Sequence, residues 1–163
     1  MNNTDFVIRK AQKEDIAQIA KLRAMITGEY ALTFVPSICQ YSDIVVTNEE
    51  QEKIIKEMME DPNHEVMVAC IEDNIVGMLS VVTETCSDDL IKAPYSTIDF
   101  MEVYPEFQSS GIGQAFLVEA EKLAKAKDHK YLEHLVWVTE EKAIKLYKEN
   151  SFQPITQQMV KKL

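Results

Sequence analysis

The segment from Gln108 to Gln114 has the residue types and spacing of an anion-binding turn. It follows an apolar run, 98–103, that predicts a strand, and it precedes a helical pattern. Gly111 and Gly113 allow neighbouring backbone N–H groups to turn outward together, where side chains would block them. The helix that follows leaves its first N–H groups unpaired and carries the positive end of its dipole there. Such a turn binds anions, of which phosphate is the usual one.

Two familiar phosphate loops do not fit this segment. A P-loop needs Gly-Lys-Ser/Thr after its glycines, whereas Gln114 and Ala115 follow Gly113. A dinucleotide fingerprint needs a small residue three places after its second glycine, where Phe116 would block close packing of helix against strand. A third alternative is a plain glycine-softened loop before a surface helix, with no ligand.

The segment resembles the pyrophosphate loop of the GNAT-type N-acetyltransferases, Gln/Arg-x-x-Gly-x-Gly/Ala. The residues before it, 103–106, match the Val-x-Pro-Glu typical of those enzymes, and the opening of the chain, 9–19, is similar to their start. The resemblance implies that the phosphates of coenzyme A are held by Gln108, Ser109, Ser110, Gly111, Ile112, Gly113 and Gln114.

A second motif, at 140–152, resembles the later GNAT pattern Asn-x-x-Ala-x-x-Leu-Tyr-x-x-x-Gly-Phe. The matching residues are Ala143, Leu146, Tyr147 and Phe152. Glu140 stands where asparagine is usual, which changes one hydrogen bond to the pantetheine arm. Ser151 stands where glycine is usual, so we expect Asn150 to take the left-handed position after the helix.

The resemblance implies a fold of the α/β (α+β) class. It has a mixed, mostly antiparallel central sheet with helices on both faces, and two splayed parallel strands that hold acyl-CoA. The splayed strands would be 96–103 and 131–138. The pantetheine arm would lie between them, against the backbone of Met101 and Val103 and near Glu140 and Ala143.

The implied reaction moves an acetyl group from acetyl-CoA to an amine by direct attack in a ternary complex. The amine must first lose a proton, because an ammonium has no lone pair. Asp99 is the first choice of base, since it shares the face of Val103 unless a bulge intervenes. Glu102 faces the other side, and proton loss through water is an alternative. The resemblance assigns the Val103 amide to the thioester oxygen and Tyr147 to the leaving thiolate.

Two other functions compete with this enzyme. A non-catalytic acyl-CoA-binding sensor would keep the same loop, and the replacements at Glu140 and Ser151 leave room for it. A nucleotide-binding protein of another fold is disfavoured by the missing lysine and by Phe116.

The charge of the chain is −10, and its distribution is uneven. Residues 1–96 carry 17 acids and 8 bases, and the acids are densest at 25–66, with 9 acids against 2 bases. An acidic surface repels nucleic acid and anionic membranes and attracts cations. Solubility alone would explain the charge. The sharper expectation is a cationic acceptor, either a small-molecule or a peptide amine.

Cysteines and histidines give no sign of a metal site or a disulfide frame. The three cysteines form no Cys-x-x-Cys pair, and His64, His129 and His134 lack ligand spacing, so we expect no metal. The N-terminus has neither a basic start nor an apolar core, which favours a cytoplasmic protein. We expect one domain over 1–163. Dimers are common among similar proteins, so a homodimer is one expected assembly.

The hydrophobic pattern predicts the order β-α-α-β-β-β-α-β-α-β. Helices are expected at 13–28, at 48–60 after a capping box at Thr47, at 111–128 and at 140–149. A hairpin is expected at 65–83, and a last extended piece at 152–160. The irregular stretches 30–46 and 85–95 are expected to shape the acceptor pocket.

Overall fold

The structure, a computed structural model, describes residues 5–33, 47–86 and 93–161. The strands in these residues are β1 (Val7–Lys10), β2 (His64–Ile71), β3 (Asn74–Cys86), β4 (Tyr95–Val103) and β5 (Tyr131–His134). The helices are α1 (Ile16–Thr33), α2 (Asn48–Glu60), α3 (Ile112–Ala126) and α4 (Glu141–Glu149). Short 3-10 turns lie at Lys13–Asp15 and Pro105–Phe107. None of the helices in the described ranges has both the length and the apolar character needed to cross a bilayer.

The five strands form one sheet in the order β1-β2-β3-β4-β5. The first three pairings are antiparallel, and only β4 and β5 run parallel. The predicted mixed, mostly antiparallel sheet is therefore confirmed. Its one parallel pair requires a crossover, which α3 provides between β4 and β5.

Helices cover both faces of the sheet, as predicted. We call the two sides the α1/α2 face and the α3/α4 face. The core of the α1/α2 face includes Ile19, Leu22, Ile26, Ile55, Met58, Val66, Val68 and Met78. The core of the α3/α4 face includes Ala69, Leu79, Val81, Ile98, Ile112, Phe116, Leu117, Ala120 and Tyr147. Burying one large apolar side chain contributes roughly 1.5–3 kcal/mol, so these two layers stabilise the position of β4 between them.

An ion pair joins β1 to the start of α1. The Arg9 guanidinium donates to both carboxylate oxygens of Asp15, at 2.6 and 2.9 Å. Asp15 also accepts from the backbone N–H of Gln12, at 2.7 Å. These bonds, that of Arg9 first, hold the pKa of Asp15 below its ordinary value although burial opposes them. The carboxylate therefore caps the first helical turn and fixes the angle between strand and helix.

The first two helices match the prediction in type but not in all their bounds. α2 begins after Thr47, and the predicted capping box is confirmed: Thr47 accepts from the Glu50 amide, and Glu50 accepts from the Thr47 amide. α1 continues past Gly28 to Thr33, so the predicted stop near Gly28 is wrong. One glycine lowers the stability of a helix by only about 1 kcal/mol, and the turns on either side of Gly28 continue the helix. Most of the predicted irregular stretch, 34–46, lies outside the described residues.

A bulge in β4 decides which of its side chains face which helices. Ser80 pairs with Phe100 and Val81 with Ile98, so Asp99 is an extra residue in β4. Ile98 packs in the α3/α4 core, whereas Phe100 packs against the α1/α2 core. Regular alternation would have placed these two residues on one face.

The C-terminal third is less regular than predicted. β5 ends at His134 and not at Val138, and Leu135 is 92% exposed. The extended piece predicted at 152–160 forms no strand in the described residues. Pro154 lacks an N–H group, and Ile155 and Met159 remain exposed, so pairing there would bury little apolar surface.

Gly77 on β3 gives a test of packing between the sheet and α3. An added Cβ would lie 3.0 Å from the Glu102 carbonyl oxygen and 3.1 Å from the Phe116 ring. We expect Gly77→Ala to lower the free energy of unfolding by about 1–3 kcal/mol in denaturant titrations, because backbone cannot move away as a side-chain tip can.

Gly28→Ala is the matched control for this substitution. An added Cβ at Gly28 in α1 meets no atom within 4 Å. It should therefore raise the free energy of unfolding by about 0.5–1 kcal/mol, as alanine does in helices. Equal effects of the two substitutions would contradict the packing at Gly77.

Candidate functional site

The two parallel strands separate part of the way along β4. β4 and β5 are in register from Tyr95 and Tyr131 to Ile98 and His134, and their pairing ends there. The Ile98 carbonyl lies 2.6 Å from Nδ1 of the His134 ring. The side chain of His134, the last paired residue of β5, thus makes the hydrogen bond that the next backbone N–H of β5 would otherwise make.

Beyond Ile98, β4 is still held along its other edge. Met101 pairs with Leu79, and Val103 pairs with Gly77 on β3. The edge of β4 turned towards β5 has no strand partner over 99–103 in the described part of the chain. The splayed pair is therefore present where the sequence predicted it. Met101 and Val103, the two residues predicted to meet the pantetheine arm, lie on this edge.

His134 belongs to the site, although the sequence analysis assigned it no role. Since a carbonyl only accepts, Nδ1 of its ring carries the proton, and in the neutral ring Nε2 is an acceptor. Burial lowers the pKa of His134, while the bond to the Ile98 carbonyl and the charge of Asp99 act to raise it. The ring lies against that of Tyr147, with centroids 5.1 Å apart. No signal in the sequence marks residue 134 as the last paired position.

The segment 108–114, which we call the glycine loop, follows the 3-10 turn. Its first half is held from within: the Ser110 hydroxyl donates to the Phe107 carbonyl at 2.6 Å, and the Gln108 side chain donates to the Val103 carbonyl at 3.4 Å. Ser109 has φ of 66°, in the left-handed region. These contacts turn the chain back beside the end of β4.

The second half of the glycine loop is the N-terminus of α3. Gly111 is the N-cap, with φ of 94°, a value that favours glycine. Ala115 donates to the Gly111 carbonyl at 3.0 Å, so the amides of Ile112, Gly113 and Gln114 form the open first turn. An added Cβ at Gly111 meets nothing within 4 Å, so the loop is open at its N-cap residue.

The side chain of Gln114 joins the two helices of this face. It donates to the Asn150 side chain at 2.5 Å and accepts from it at 2.8 Å. Asn150 also donates to the Leu146 carbonyl at 2.8 Å. At Gly113, an added Cβ would lie 3.0 Å from the tip of Leu146. The start of α3 and the end of α4 are therefore in close contact.

The end of α4 fixes Tyr147. Phe152 donates its amide to the Tyr147 carbonyl at 3.0 Å, and Ser151 donates to the Lys148 carbonyl at 3.1 Å, which is the Schellman arrangement. The ring of Phe152 meets that of Tyr147 at 5.2 Å. Tyr147 is buried between this ring and His134.

Ser151, and not Asn150, takes the left-handed position. φ is 67° at Ser151 and −103° at Asn150, so the prediction for Asn150 is wrong. α4 ends at Glu149, as predicted, and Asn150 is its C-cap, so the left-handed residue is the one that follows the C-cap. Glycine is usual in the related motif at residue 151, where a serine side chain is strained.

Glu140 and Ala143 lie at the start of α4. Glu140 is the N-cap, is buried, and its carbonyl accepts from Ile144 at 2.9 Å. Ala143 is half-buried and packs against the α3/α4 core. Both residues are on the chain that continues from β5 beyond the separation of the strands.

On the α1/α2 face, Arg23 joins both helices to β4. Its Nε donates to the Gln51 side chain at 2.8 Å, and its Nη1 lies 3.3 Å from Oε1 of Glu102. The guanidinium carbon lies 3.4 Å above the centre of the Phe100 ring. Arg23 is only 5% exposed, so this is a buried ion pair supported by a cation–π contact.

Glu102 is a buried acid with an altered titration. Burial raises its pKa to about 7, although the charge of Arg23 acts to lower it, and Asp99 raises it further. Oε2 of Glu102 is buried without a hydrogen-bond partner among the described residues. A carboxyl group that titrates near neutral pH is suited to accept or release protons.

The bulge places Asp99 on the opposite face from the one expected. Its Oδ2 lies 3.6 Å from Nε2 of His64, which is on β2 in alternation with Val66 of the α1/α2 core. The predicted shared face with Val103 is therefore wrong, because the bulge intervenes. Asp99 and Glu102 instead lie on the same face of β4, close to its separation from β5.

The predicted residues thus form two groups around the separated strands. Tyr147, Val103, Ala143 and the glycine loop lie on the α3/α4 side, and Asp99 lies on the α1/α2 side with Glu102. Among the described residues, no group of three or more histidine, cysteine, aspartate or glutamate side chains could hold a metal ion.

A family model described as "Acetyltransferase (GNAT) family" matches residues 31–152. Because the match covers most of the chain, the protein belongs to the GNAT acetyltransferase family. The resemblance inferred from the two motifs is confirmed. A comparison with curated proteins gave no match.

Solved structures share the fold. Aminoglycoside N-acetyltransferase AAC(6')-Iy in complex with CoA has a TM-score of 0.78 at 10% identity, over 98% of this chain and 95% of that one. The BH1408 protein from Bacillus halodurans, as a tetramutant, has a TM-score of 0.78 at 17% identity, over 96% and 99%. A transcriptional regulator from Bacillus halodurans C-125 has a TM-score of 0.73 at 19% identity, over 98% and 100%. At these identities the similarity establishes the fold alone.

The strain at Ser151 gives a stability test. We expect Ser151→Gly to raise the free energy of unfolding by about 1 kcal/mol, because glycine adopts the left-handed region without a Cβ clash. Asn150→Gly is the control. The φ of residue 150 is already negative, and this variant loses the hydrogen bonds to Gln114, so the free energy of unfolding should fall. Denaturant titration of both variants measures the difference, and a gain at Asn150 would contradict the assignment.

Glu102 predicts a pH dependence of stability. Its pKa is about 7 in the folded protein and near 4.5 in an ordinary glutamate. Between these values the folded protein keeps a proton that the unfolded chain has released, so the free energy of unfolding falls as pH rises through the window. A shift of this size corresponds to about 3 kcal/mol.

Glu102→Gln should remove this fall. Unfolding titrations at several pH values between 4.5 and 7 measure the slope, independently of the constant cost of leaving Arg23 without its partner. Glu106→Gln, at an exposed carboxylate on the 3-10 turn, is the control and should keep the wild-type slope. An unchanged slope in the Glu102→Gln variant would show that another group causes the dependence.

Proposed function

We propose that the protein is an N-acetyltransferase that moves an acetyl group from acetyl-CoA to an amine by direct attack in a ternary complex. One observation carries the proposal: the unpaired edge of β4 over 99–103 adjoins the open amides at the start of α3. Acetyl-CoA needs both features. The strand edge would bind the amide groups of its pantetheine arm, and the helix amides would bind its charged diphosphate.

The residues present fit acetyl-CoA. The amides of Ile112, Gly113 and Gln114 and the space above Gly111 suit the diphosphate, with Gln108, Ser109 and Ser110 completing the turn. The backbone of Met101 and Val103 suits the pantetheine arm, which Glu140 and Ala143 would meet from the other side. Bound there, acetyl-CoA supplies an activated acyl group.

The side chains around the separation have complementary roles. The Val103 amide would donate to the thioester oxygen as negative charge develops, which backbone N–H groups do without reorganisation. Tyr147 would protonate the leaving thiolate, since phenol and thiol have similar proton affinities. The rings of His134 and Phe152 lie on either side of Tyr147 and hold it in one orientation.

The proton of the amine would leave on the α1/α2 side. Asp99 remains our first choice of base, and Glu102 is the second, with its pKa raised to about 7 by burial. Two carboxylates on one face also favour a cationic acceptor, a small molecule or a peptide amine, over an anionic one. We propose a cytoplasmic location, because three cysteines without a Cys-x-x-Cys pair fit reduced thiols better than a disulfide frame.

The first experiment is thermal melting with acetyl-CoA, CoA, ATP and NAD. We expect only the CoA compounds to raise the melting temperature, because binding to the folded state stabilises it by RT ln(1 + [L]/Kd). Gly111→Val should lose this shift, since a β-branched residue cannot hold φ of 94°. Gly28→Val, on α1, is the control that keeps it. A normal shift in Gly111→Val would remove the glycine loop from the site.

Thiol release with a panel of amines separates the enzyme from the alternative, a non-catalytic acyl-CoA sensor. The enzyme releases CoA faster when an amine is present, whereas a sensor binds acetyl-CoA and releases none. The replacement of glycine by Ser151 and of asparagine by Glu140 is the observation that keeps the sensor as the second candidate.

A further inference from the structure

His64, the first residue of β2, is a largely buried histidine that the mechanism above does not use. Its Nδ1 lies 3.1 Å from Oδ2 of Asp61, and its backbone N–H donates to the Asp61 carbonyl at 3.0 Å. The Asn63 amide donates to the other Asp61 oxygen at 2.8 Å. These bonds, first that of Asn63 and then that of His64, lower the pKa of Asp61. Asp61 is therefore a carboxylate that keeps the His64 proton on Nδ1.

The second ring nitrogen of His64 points towards the proposed base. Nε2 is buried without a hydrogen-bond partner in the described ranges, and Oδ2 of Asp99 lies 3.6 Å away. With Nδ1 donating, Nε2 of the neutral ring is an acceptor, as is the Asp99 carboxylate. Nε2 is buried, whereas the Asp99 carboxylate is partly exposed, and these two facing acceptors lack one proton between them. A proton at this position would satisfy both.

We propose that His64 accepts, through Asp99, the proton that the acceptor amine releases. This inference rests on the proposed function, in which Asp99 is the base. The N–H bond of the ammonium breaks, and its proton bonds to an Asp99 oxygen. The electron pair left on nitrogen forms the new C–N bond, and the C–S bond of the thioester breaks. Tyr147 would protonate the leaving thiolate, and the second N–H proton of the attached nitrogen would restore the Tyr147 hydroxyl. The proton on Asp99 then passes to Nε2 of His64, which restores the Asp99 carboxylate, and it leaves to water after the product.

The charges around His64 favour this transfer. An imidazolium at this position lies between two carboxylates, Asp61 from the preceding turn and Asp99 from β4. The next groups along the face are Glu102 and Arg23, which are paired with each other.

His64 also has a route to solvent that Glu102 lacks. The Asp61 side chain is 42% exposed and the Asp99 side chain 39%, whereas those of Glu102 and Arg23 are 13% and 6% exposed. His64 is thus a positioning and proton-accepting partner of Asp99 at the exposed end of the face.

The test uses the full chain with the His64→Gln substitution, acetyl-CoA and two probe amines, n-butylamine and spermidine. Glutamine reaches the position of Nε2 but cannot take a proton. We expect kcat/KM for the amine to fall about 100-fold near neutral pH, the lower end of the usual contribution of a proton-transfer group. KM for acetyl-CoA should stay unchanged. The loss should shrink as pH rises, because more of the amine is then already deprotonated.

Two further variants separate this role from a structural one. His129→Gln is the matched control, because His129 is a buried histidine held by the Ser96 hydroxyl at 2.8 Å, and it should keep the wild-type pH profile. His64→Ala should recover activity when imidazole is added, which a merely structural histidine would not allow. His64→Asn, which keeps an amide donor towards Asp61, replaces His64→Gln if melting shows that the latter is unfolded.

The outcomes distinguish the two proposals. A wild-type protein that releases no CoA with any amine overturns the proposed function, and the role of His64 with it. An active wild type with the same pH profile in His64→Gln overturns the role of His64 alone. A loss that is equal at every pH and is not recovered by imidazole has the same consequence.

Discussion

The last rung between the two parallel strands, at Ile98 and His134, is the constraint on which the site depends. A backbone carbonyl in the interior needs a hydrogen-bond donor. Where a strand leaves its neighbour, a carbonyl of that neighbour would lose its donor. The His134 ring supplies that donor, so β5 can turn away while β4 remains paired with β3. The open edge of β4, the place of Tyr147 and the access to both faces all follow from this one substitution of a ring for a peptide group.

Helix ends then fix the groups on either side of the opening. α3 begins with a left-handed glycine, whose carbonyl accepts the first helical bond, and α4 ends in a Schellman turn. The amide pair of Gln114 and Asn150 ties these two ends together. A movement of the glycine loop would therefore reach Tyr147 through Gln114 and Asn150, whose backbone N–H donates to the Tyr147 carbonyl at 3.0 Å. The diphosphate end and the reacting end of the cofactor would be held by one connected unit.

Much of this arrangement could be predicted from local patterns. The glycine turn before α3, the capping box at Thr47 and the hairpin depend on neighbours in sequence, and all three are found where expected. The bulge at Asp99 could not be predicted, because it depends on how β3 and β4 align. The same holds for His134, which matters only because its residue is the last one paired. The extra turn of α1 after Gly28 is a case in which the surrounding helix outweighs one unfavourable residue.

The bulge at Asp99 also affects how such a protein can change over time. Ile98 and Phe100 already lie on opposite faces of the sheet, so β4 without residue 99 would be an ordinary strand with every other side chain on its present side. An acidic group beside the opening can therefore be gained or lost by inserting or deleting one codon, with the sheet otherwise intact. Chain length within this strand would then be a better guide to shared chemistry among relatives than residue identity.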